Sequence, residues 1–398
     1  MTLLDIYVSY KPYKDGKVHV FRLRGPVYGQ RSAPRCWFKT LTHWLVHDMG
    51  YVQGLNEPCA FAHPVTGHRL VIFCDDILCR GSRVESDRFY TAMADRFDCK
   101  DPTYLEVGGR LTFTGLDVCL VEADGRLVVR VEQERDILNF LEDKGLDSEV
   151  ISPSPMSDRK KLLDSAEISE NLQSWCRSVI GGLHYFARGT RWDITQSVSR
   201  VAQTMGSPTA GTVAAIERIA GYIRGTSGFS LEGEYNTGGN KLISMCDSNH
   251  HGDSGLTTKS QTGVVILLNG VPVHWRSNKQ PNTTNSPVES EVYALSVGVK
   301  DTRLQGWVLE ELGADVSWPM LLHTDSGGAM SFKNDTCPTS QLRGCFDYRL
   351  QWVQEVRAAD EIKIAMTTDK LNLSDIFTKC KGNKEFKYRV DQIRAEAK

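Results

Sequence analysis

No apolar run in the 398-residue chain approaches the roughly 20 residues a membrane-spanning helix needs. Residues 1–10 lack a basic flank followed by an apolar core, so no secretory leader is expected there. The eleven cysteines form no Cys-x-x-Cys pair and no regular spacing. This argues against a disulfide framework and for free thiols in a reducing compartment. Internal repeats, low-complexity tracts and a clear basic import signal are all missing. With a net charge of -2, the whole chain has no excess that would mark a polyanionic partner. What is present is ordinary: 40% hydrophobic residues over a length suited to two or three domains, each able to bury a core.

Local patterns say more. Residues 1–50 hold 8 Lys and Arg against 3 Asp, a net of +5. Such an excess suits a phosphate backbone, although on charge alone a solvated basic face is the better reading. Trp37, Leu41, Trp44 and Leu45 follow Pro34 at helical spacing. Leu70-Val71-Ile72-Phe73 and Ile77-Leu78 flank Cys74-Asp75-Asp76, the pattern of a tight hairpin with acids at its tip. A Ser/Pro/Asp-rich stretch at 152–158 predicts a loop, and 170–225 predicts helix. From residue 241 the pattern predicts strands at 242–246, 263–268 and 271–275, with Asn269-Gly270 as a hairpin turn. A helix at 288–312, a strand at 320–324, a helix at 348–359, a strand at 362–366 and a last helical segment complete β-β-β-α-β-α-β-α.

Four acids sit at element ends in that order. Asp247 closes the first strand, Glu291 lies early in the first helix, Asp325 ends the fourth strand and Asp375 opens the last helix. Singly each is weak, because an Asp after a strand is more often a turn or cap residue. Together on one sheet edge they would repel one another unless hard divalent cations neutralise them. Residues 241–385 resemble the RNase H domain of copia-type long-terminal-repeat retrotransposons. The resemblance rests on Lys259-Ser260-Gln261-Thr262-Gly263, Val273-His274-Trp275-Arg276-Ser277-Asn278-Lys279-Gln280, Glu289-Ser290-Glu291-Val292-Tyr293-Ala294-Leu295 and Ser374-Asp375-Ile376-Phe377-Thr378-Lys379. It implies that Asp247, Glu291, Asp325 and Asp375 hold two Mg²⁺ (or Mn²⁺) ions, with Glu291 rather than Glu289 matching the family's glutamate. Two departures stand out: Asn249 where the family has a second acid, and Gly344-Cys345 in place of Lys-His before Asp347.

The N-terminal part is similar to the reverse transcriptase of the same family. Tyr28-Gly29-Gln30-Arg31-Ser32-Ala33-Pro34-Arg35-Cys36-Trp37-Phe38 looks like the segment before the catalytic hairpin, and Phe73-Cys74-Asp75-Asp76 like the family's Tyr-Val-Asp-Asp. Leu111-Thr112-Phe113-Thr114-Gly115-Leu116-Asp117 resembles the following strand near the primer grip. Gly189-Thr190-Arg191-Trp192-Asp193-Ile194 and Tyr222-Ile223-Arg224-Gly225-Thr226 resemble the helical connection. The resemblance implies metal binding by Asp75 and Asp76, and nucleotide or nucleic-acid binding by Tyr28, Gly29, Gln30, Pro34 and Arg35. The family's first catalytic Asp belongs upstream of Tyr28, and residues 1–8 look like text that follows it. The chain alone is therefore expected to polymerise poorly.

The expected fold class is α/β and α+β, multidomain. Residues 1–150 are expected to form a partial reverse-transcriptase palm and the start of a thumb, and 151–235 a helical thumb or connection. Residues 236–398 are expected to form an RNase H-like mixed sheet with flanking helices. The expected activity is Mg²⁺-dependent hydrolysis of the RNA strand of RNA/DNA hybrids. RNA template, DNA primer and the rest of a Pol polyprotein are further partners, and no membrane is involved. The implied setting is cytoplasmic particles, with DNA product passing to the nucleus. The alternatives are an inert nucleic-acid-binding relic, and a polymerase active only within a longer polyprotein.

Overall fold

The computed structural model describes residues 7–9, 20–22, 29–156, 162, 165–235, 239–252, 257–331 and 348–396. The chain divides into two compact units, residues 1–99 with 311–313 and residues 100–310 with 314–398.

In the first unit, β1 (Tyr7–Ser9) pairs with β2 (Val20–Arg22). Helix α1 (Ala33–His43) follows and runs into a π-helical turn, Trp44–Asp48. An antiparallel meander comes next: β3 (Val52–Gln53), β4 (Ala60–Ala62), β5 (Arg69–Phe73) and β6 (Asp76–Arg80). Helix α2 (Arg83–Arg96) closes the unit, with the Ser82 hydroxyl accepting from the Glu85 amide as N-cap. Period-two alternation on β5 sends Leu70 and Ile72 into a core with Leu41, Leu45, Phe61 and Phe89, and leaves Phe73 exposed.

The second unit begins with β7 (Arg110–Phe113), β8 (Leu116–Ala123) and β9 (Arg126–Glu132), then α3 (Glu134–Asp143). The predicted helical stretch is three helices, α4 (Glu170–Gly189), α5 (Thr195–Ala202) and α6 (Ala210–Gly225). Strand β10 (Ser230–Glu234) returns to pair with β9. Then come β11 (Leu242–Asn249), β12 (Gln261–Leu268), β13 (Val271–Lys279), α7 (Pro287–Glu311) and β14 (Met320–Thr324). After these lie the short α8 (Gly327–Ser331), α9 (Tyr348–Ala358), β15 (Ile362–Met366) and, beyond a 3-10 turn at Leu373–Phe377, α10 (Asn383–Glu396).

The five-stranded sheet has the order β13-β12-β11-β14-β15, antiparallel among the first three strands and parallel from β11 to β15. That is the mixed sheet expected of an RNase H-like fold. Asn269 (φ 50°) and Gly270 (φ 83°) form the β12–β13 turn, the doubly positive geometry that an Asn-Gly pair favours. Strand β12 is buried on both faces. Val264 and Ile266 join a core with Leu295 and Val299 of α7 and Val353 and Val356 of α9. Val265 and Leu267 join the larger core with α4, α5, α6 and α10. Full burial of each of these four side chains contributes about 1.5–3 kcal/mol. Among the described residues the nine cysteines are all free, and no helix is long and apolar enough to cross a membrane.

Candidate active site

Strand β11 lies between antiparallel β12 and parallel β14. Its register with β14 pairs Met245 with His323. Two residues further along each strand stand Asp247, still paired with Gly263 of β12, and Asp325, the first residue beyond β14. The two acids therefore leave the same end of adjacent parallel strands. Helix α7 brings Glu291 to them. The Ser248 and Ser290 hydroxyls are 2.8 Å apart across β11 and α7, and Gln280 Nε2 donates to the Ser290 carbonyl at 3.0 Å. Glu289 has other work: Ser286 Oγ accepts from its amide at 3.1 Å, and its own carboxylate accepts from the Asn285 amide at 2.6 Å. This is a helix start of the capping-box kind.

Asp375 does not open the final helix, as its sequence suggested. It lies in the 3-10 turn, eight residues before α10 begins at Asn383, and the cap is Asn372, whose Oδ1 accepts from the Ser374 amide at 3.2 Å. The turn is fixed to the sheet by Asn372 Nδ2 on the Cys246 carbonyl (3.1 Å) and by Ser277 Oγ on the Phe377 carbonyl (2.6 Å). Gly263 permits this approach: a Cβ there would meet Thr378 Cγ2 at 2.6 Å and the Ser374 carbonyl oxygen at 2.8 Å.

The acids differ in their electrostatics. Burial pushes the Asp247 carboxyl up to about 6, with Lys379 and the Thr378 hydroxyl working against the rise and Asp375 and Asp325 adding to it. Burial, then the Asp247 carboxylate, pushes Glu291 up to about 8. Asp375 is fully buried, and burial alone would raise it too, but Lys379 and Lys381 outweigh burial and hold it below the usual carboxylate range. Lys379 Nζ is 2.6 Å from Asp375 Oδ1 and 3.6 Å from Asp247 Oδ2. Lys381 Nζ contacts Asp375 Oδ2, and Arg389 Nη2 lies 3.4 Å from the same oxygen. None of these three cations is assigned a role by the sequence motifs. Lys379 was legible in principle, one helical turn beyond Asp375, whereas Arg389 reaches the turn only through packing of α10.

Among the described residues no three His, Cys, Asp or Glu side chains converge as a ready-made metal cage. A divalent ion nonetheless suits Asp247, Glu291 and Asp325, which are hard oxygen donors whose mutual repulsion Lys379 offsets only in part. Asp375, already surrounded by cations, does not suit one. Asn249, in place of a further acid, donates through Nδ2 to the Thr378 carbonyl at 3.2 Å. Asp347 and Gly344-Cys345 lie outside the described residues.

In the first unit the β5–β6 turn is tighter than expected. Asp76 is already paired with Phe73, so the turn residues are Cys74 (φ 55°) and Asp75. Asp75 and Asp76 are exposed, as are Gly29, Pro34 and Arg35, with Gln30 partly exposed. Tyr28 lies outside the described residues. Trp37 of α1 links the two motifs by donating from Nε1 to the Cys74 carbonyl at 2.9 Å. The segment Leu111–Asp117, expected as one strand, is the β7–β8 hairpin, turning at Thr114 (φ 53°) and Gly115 (φ 78°).

No family model matches the chain. It is 27% identical over 336 residues to the retrovirus-related Pol polyprotein from transposon RE1 of Arabidopsis thaliana, covering 82% of this chain and 22% of that protein. To the Pol polyprotein from transposon TNT 1-94 of Nicotiana tabacum it is 24% identical over 389 residues, covering 93% of this chain and 28% of the relative. To a truncated Ty1-A Gag-Pol polyprotein of Saccharomyces cerevisiae it is 21% identical, covering 96% of this chain and 32% of the relative. The chain thus spans less than a third of the length of these relatives. Among solved structures it is similar to a foamy viral protease-reverse transcriptase in complex with RNA/DNA hybrid, with TM-score 0.43 and 13% identity over 91% of this chain and 41% of the other. LC11-RNase H1 in complex with RNA/DNA hybrid matches at TM-score 0.27 and 14% identity over 36% of this chain and 99% of the other.

Proposed function

We propose, from the chain's similarity to retrovirus-related Pol polyproteins of transposons, that the edge of its five-stranded sheet hydrolyses the RNA strand of RNA/DNA hybrids. The observation that carries this reading is the β11–β14 register, which sets Asp247 beside Asp325 at the strand ends, with Glu291 electrostatically coupled to both.

Asp247, Glu291 and Asp325 would hold Mg²⁺, or Mn²⁺ in its place. When bound, such an ion activates water and stabilises the leaving oxygen of a phosphodiester. Asp247 is fixed for this by the Thr378 hydroxyl and by its place in the β11–β12 ladder. Burial and the Asp247 carboxylate keep Glu291 largely protonated at neutral pH in the metal-free protein, and a nearby divalent charge favours its ionised, donating form. The reaction adds a water oxygen to phosphorus and breaks the bond to the 3′-oxygen, which leaves with a proton from solvent. Selection of RNA rests on the 2′-hydroxyl and the helix shape, with little reading of base sequence.

The exposed Asp75–Asp76 turn, with Gly29, Gln30, Pro34 and Arg35, is the polymerase-derived part, and its partners are RNA template and DNA primer. Polymerisation is a proposal for a whole Pol polyprotein, and this chain spans less than a third of each such relative. The implied setting is a cytoplasmic particle. Incubation of the chain with Mg²⁺ and a hybrid labelled on either strand tests the hydrolytic reading. Fragments from the RNA strand alone, with single-stranded RNA and duplex DNA left intact, support it. Folded protein that binds the hybrid without cutting it would favour an inert binding relic instead.

A further inference from the structure

The surroundings of Asp375 resist a second divalent ion. Its carboxyl is fully buried and faces Lys379, Lys381 and Arg389, whose side chains are 36%, 10% and 5% exposed. Lys381 also reaches Glu385 at 2.8 Å, and Arg389 donates to the carbonyls of Lys370 (2.7 Å) and Asp369 (3.0 Å). A dication brought to Asp375 would have to displace at least one of three cations. Lys379 is the one that matters, because its ammonium lies between Asp247 and Asp375.

The backbone holds that ammonium in place. The preceding carbonyl, that of Thr378, accepts from Asn249 Nδ2 at 3.2 Å and from Arg200 Nη2 at 3.2 Å, while the Thr378 hydroxyl donates to Asp247. The segment is therefore pinned from β11 and from α5. Charge balance points the same way. Asp247, Glu291 and Asp325 carry three negative charges when ionised, and one dication plus the Lys379 ammonium supplies three positive ones. Asp375 is already matched by Lys381 and Arg389.

We infer, resting on the hydrolytic reading above, that the Lys379 ammonium takes the place of the second cation. The centre then binds one divalent ion, at Asp247, Glu291 and Asp325, and Asp375 anchors the lysine instead of ligating metal. Lys379 supplies a fixed positive charge at this centre in that scheme.

Mn²⁺ is the probe, counted on the full chain by equilibrium binding and by electron paramagnetic resonance. Ions of this centre are those that Asp247→Asn removes, which sets aside any held by Asp75 and Asp76. The parent and Lys379→Arg are expected to hold one magnetically isolated Mn²⁺. Lys379→Met is expected to hold two, with the spin coupling of ions roughly 4 Å apart. Lys381 and Arg389 still neutralise Asp375 in that variant, and its far-ultraviolet dichroism and melting report whether it folds; the parent count decides if it does not. A coupled pair in the parent, no ion in the parent, or a single ion in folded Lys379→Met would each overturn the inference. Hybrid cleavage is scored separately. Cleavage with a coupled pair would spare the hydrolytic reading and sink this one, and a single ion without cleavage would do the reverse.

Discussion

Replacing Glu291 by glutamine removes the group that burial and the Asp247 carboxylate push up to about 8. An unfolded glutamate releases its proton near its ordinary value of 4.5, so the folded, metal-free protein holds this proton over a window that the unfolded chain does not. The raised value makes the sign definite. The contribution is complete below about pH 4.5 and is lost as pH climbs through about 8. Each unit of that window corresponds to about 1.4 kcal/mol, a ceiling of roughly 5 kcal/mol. Partial exposure of Glu291 and its coupling to Asp247 reduce the working figure to roughly 2–4 kcal/mol. Asp247, pushed up to about 6, has finished its own change by the upper half of the window. Thermal melts in chelator from about pH 6 to 8.5 should therefore show the parent losing stability while Glu291→Gln stays nearly level, with a midpoint gap of roughly 5–10 °C at the alkaline end. Mg²⁺ should close much of that gap in the parent and do little for the variant. Equal slopes for the two proteins in chelator would refute the electrostatic account of this edge.

Two further outcomes follow from the packing. Asp193→Ala strips the partner from Arg191, a fully buried guanidinium held at 3.0 and 2.9 Å by that carboxylate, which also accepts from Tyr222 Oη at 2.7 Å. Urea denaturation followed by fluorescence of buried Trp192 should show a loss of about 3–5 kcal/mol. Gly263→Ala presses a methyl group against the turn carrying Thr378 and Lys379, so it should cost about 1–3 kcal/mol in the same assay, and hybrid cleavage should fall further than that loss of stability explains.

The five-stranded sheet was legible because its strands are short apolar runs bounded by turn signals, and Asn269-Gly270 marks a turn of one geometry. The helices at 287–311 and 348–358 were legible from period and length. What stayed hidden depended on side chains bonding to distant backbone. Asn372 on the Cys246 carbonyl turns the Asp375 segment into a 3-10 turn, and no periodic signal announces that bond. The return of β10 to β9 joins residues about a hundred positions apart, beyond the reach of local pattern. At Leu111–Asp117 the sequence resemblance spoke of one strand, while the Thr114-Gly115 pair carried the turn chemistry that made it a hairpin. For the candidate site, the sequence supplied the acids but not all of their counter-charges, because Arg389 meets Asp375 only once α10 has packed.

The most direct test of the central claim is cleavage of a labelled RNA strand in an RNA/DNA hybrid with Mg²⁺, comparing the chain with Asp325→Asn of matched thermal stability. Asp325 lies beyond β14 and has no cation of its own among the described ion pairs, so the substitution should leave the fold intact and abolish cutting. Cutting by the parent alone is the predicted result; equal cutting by both, or none by folded parent protein, would contradict the account.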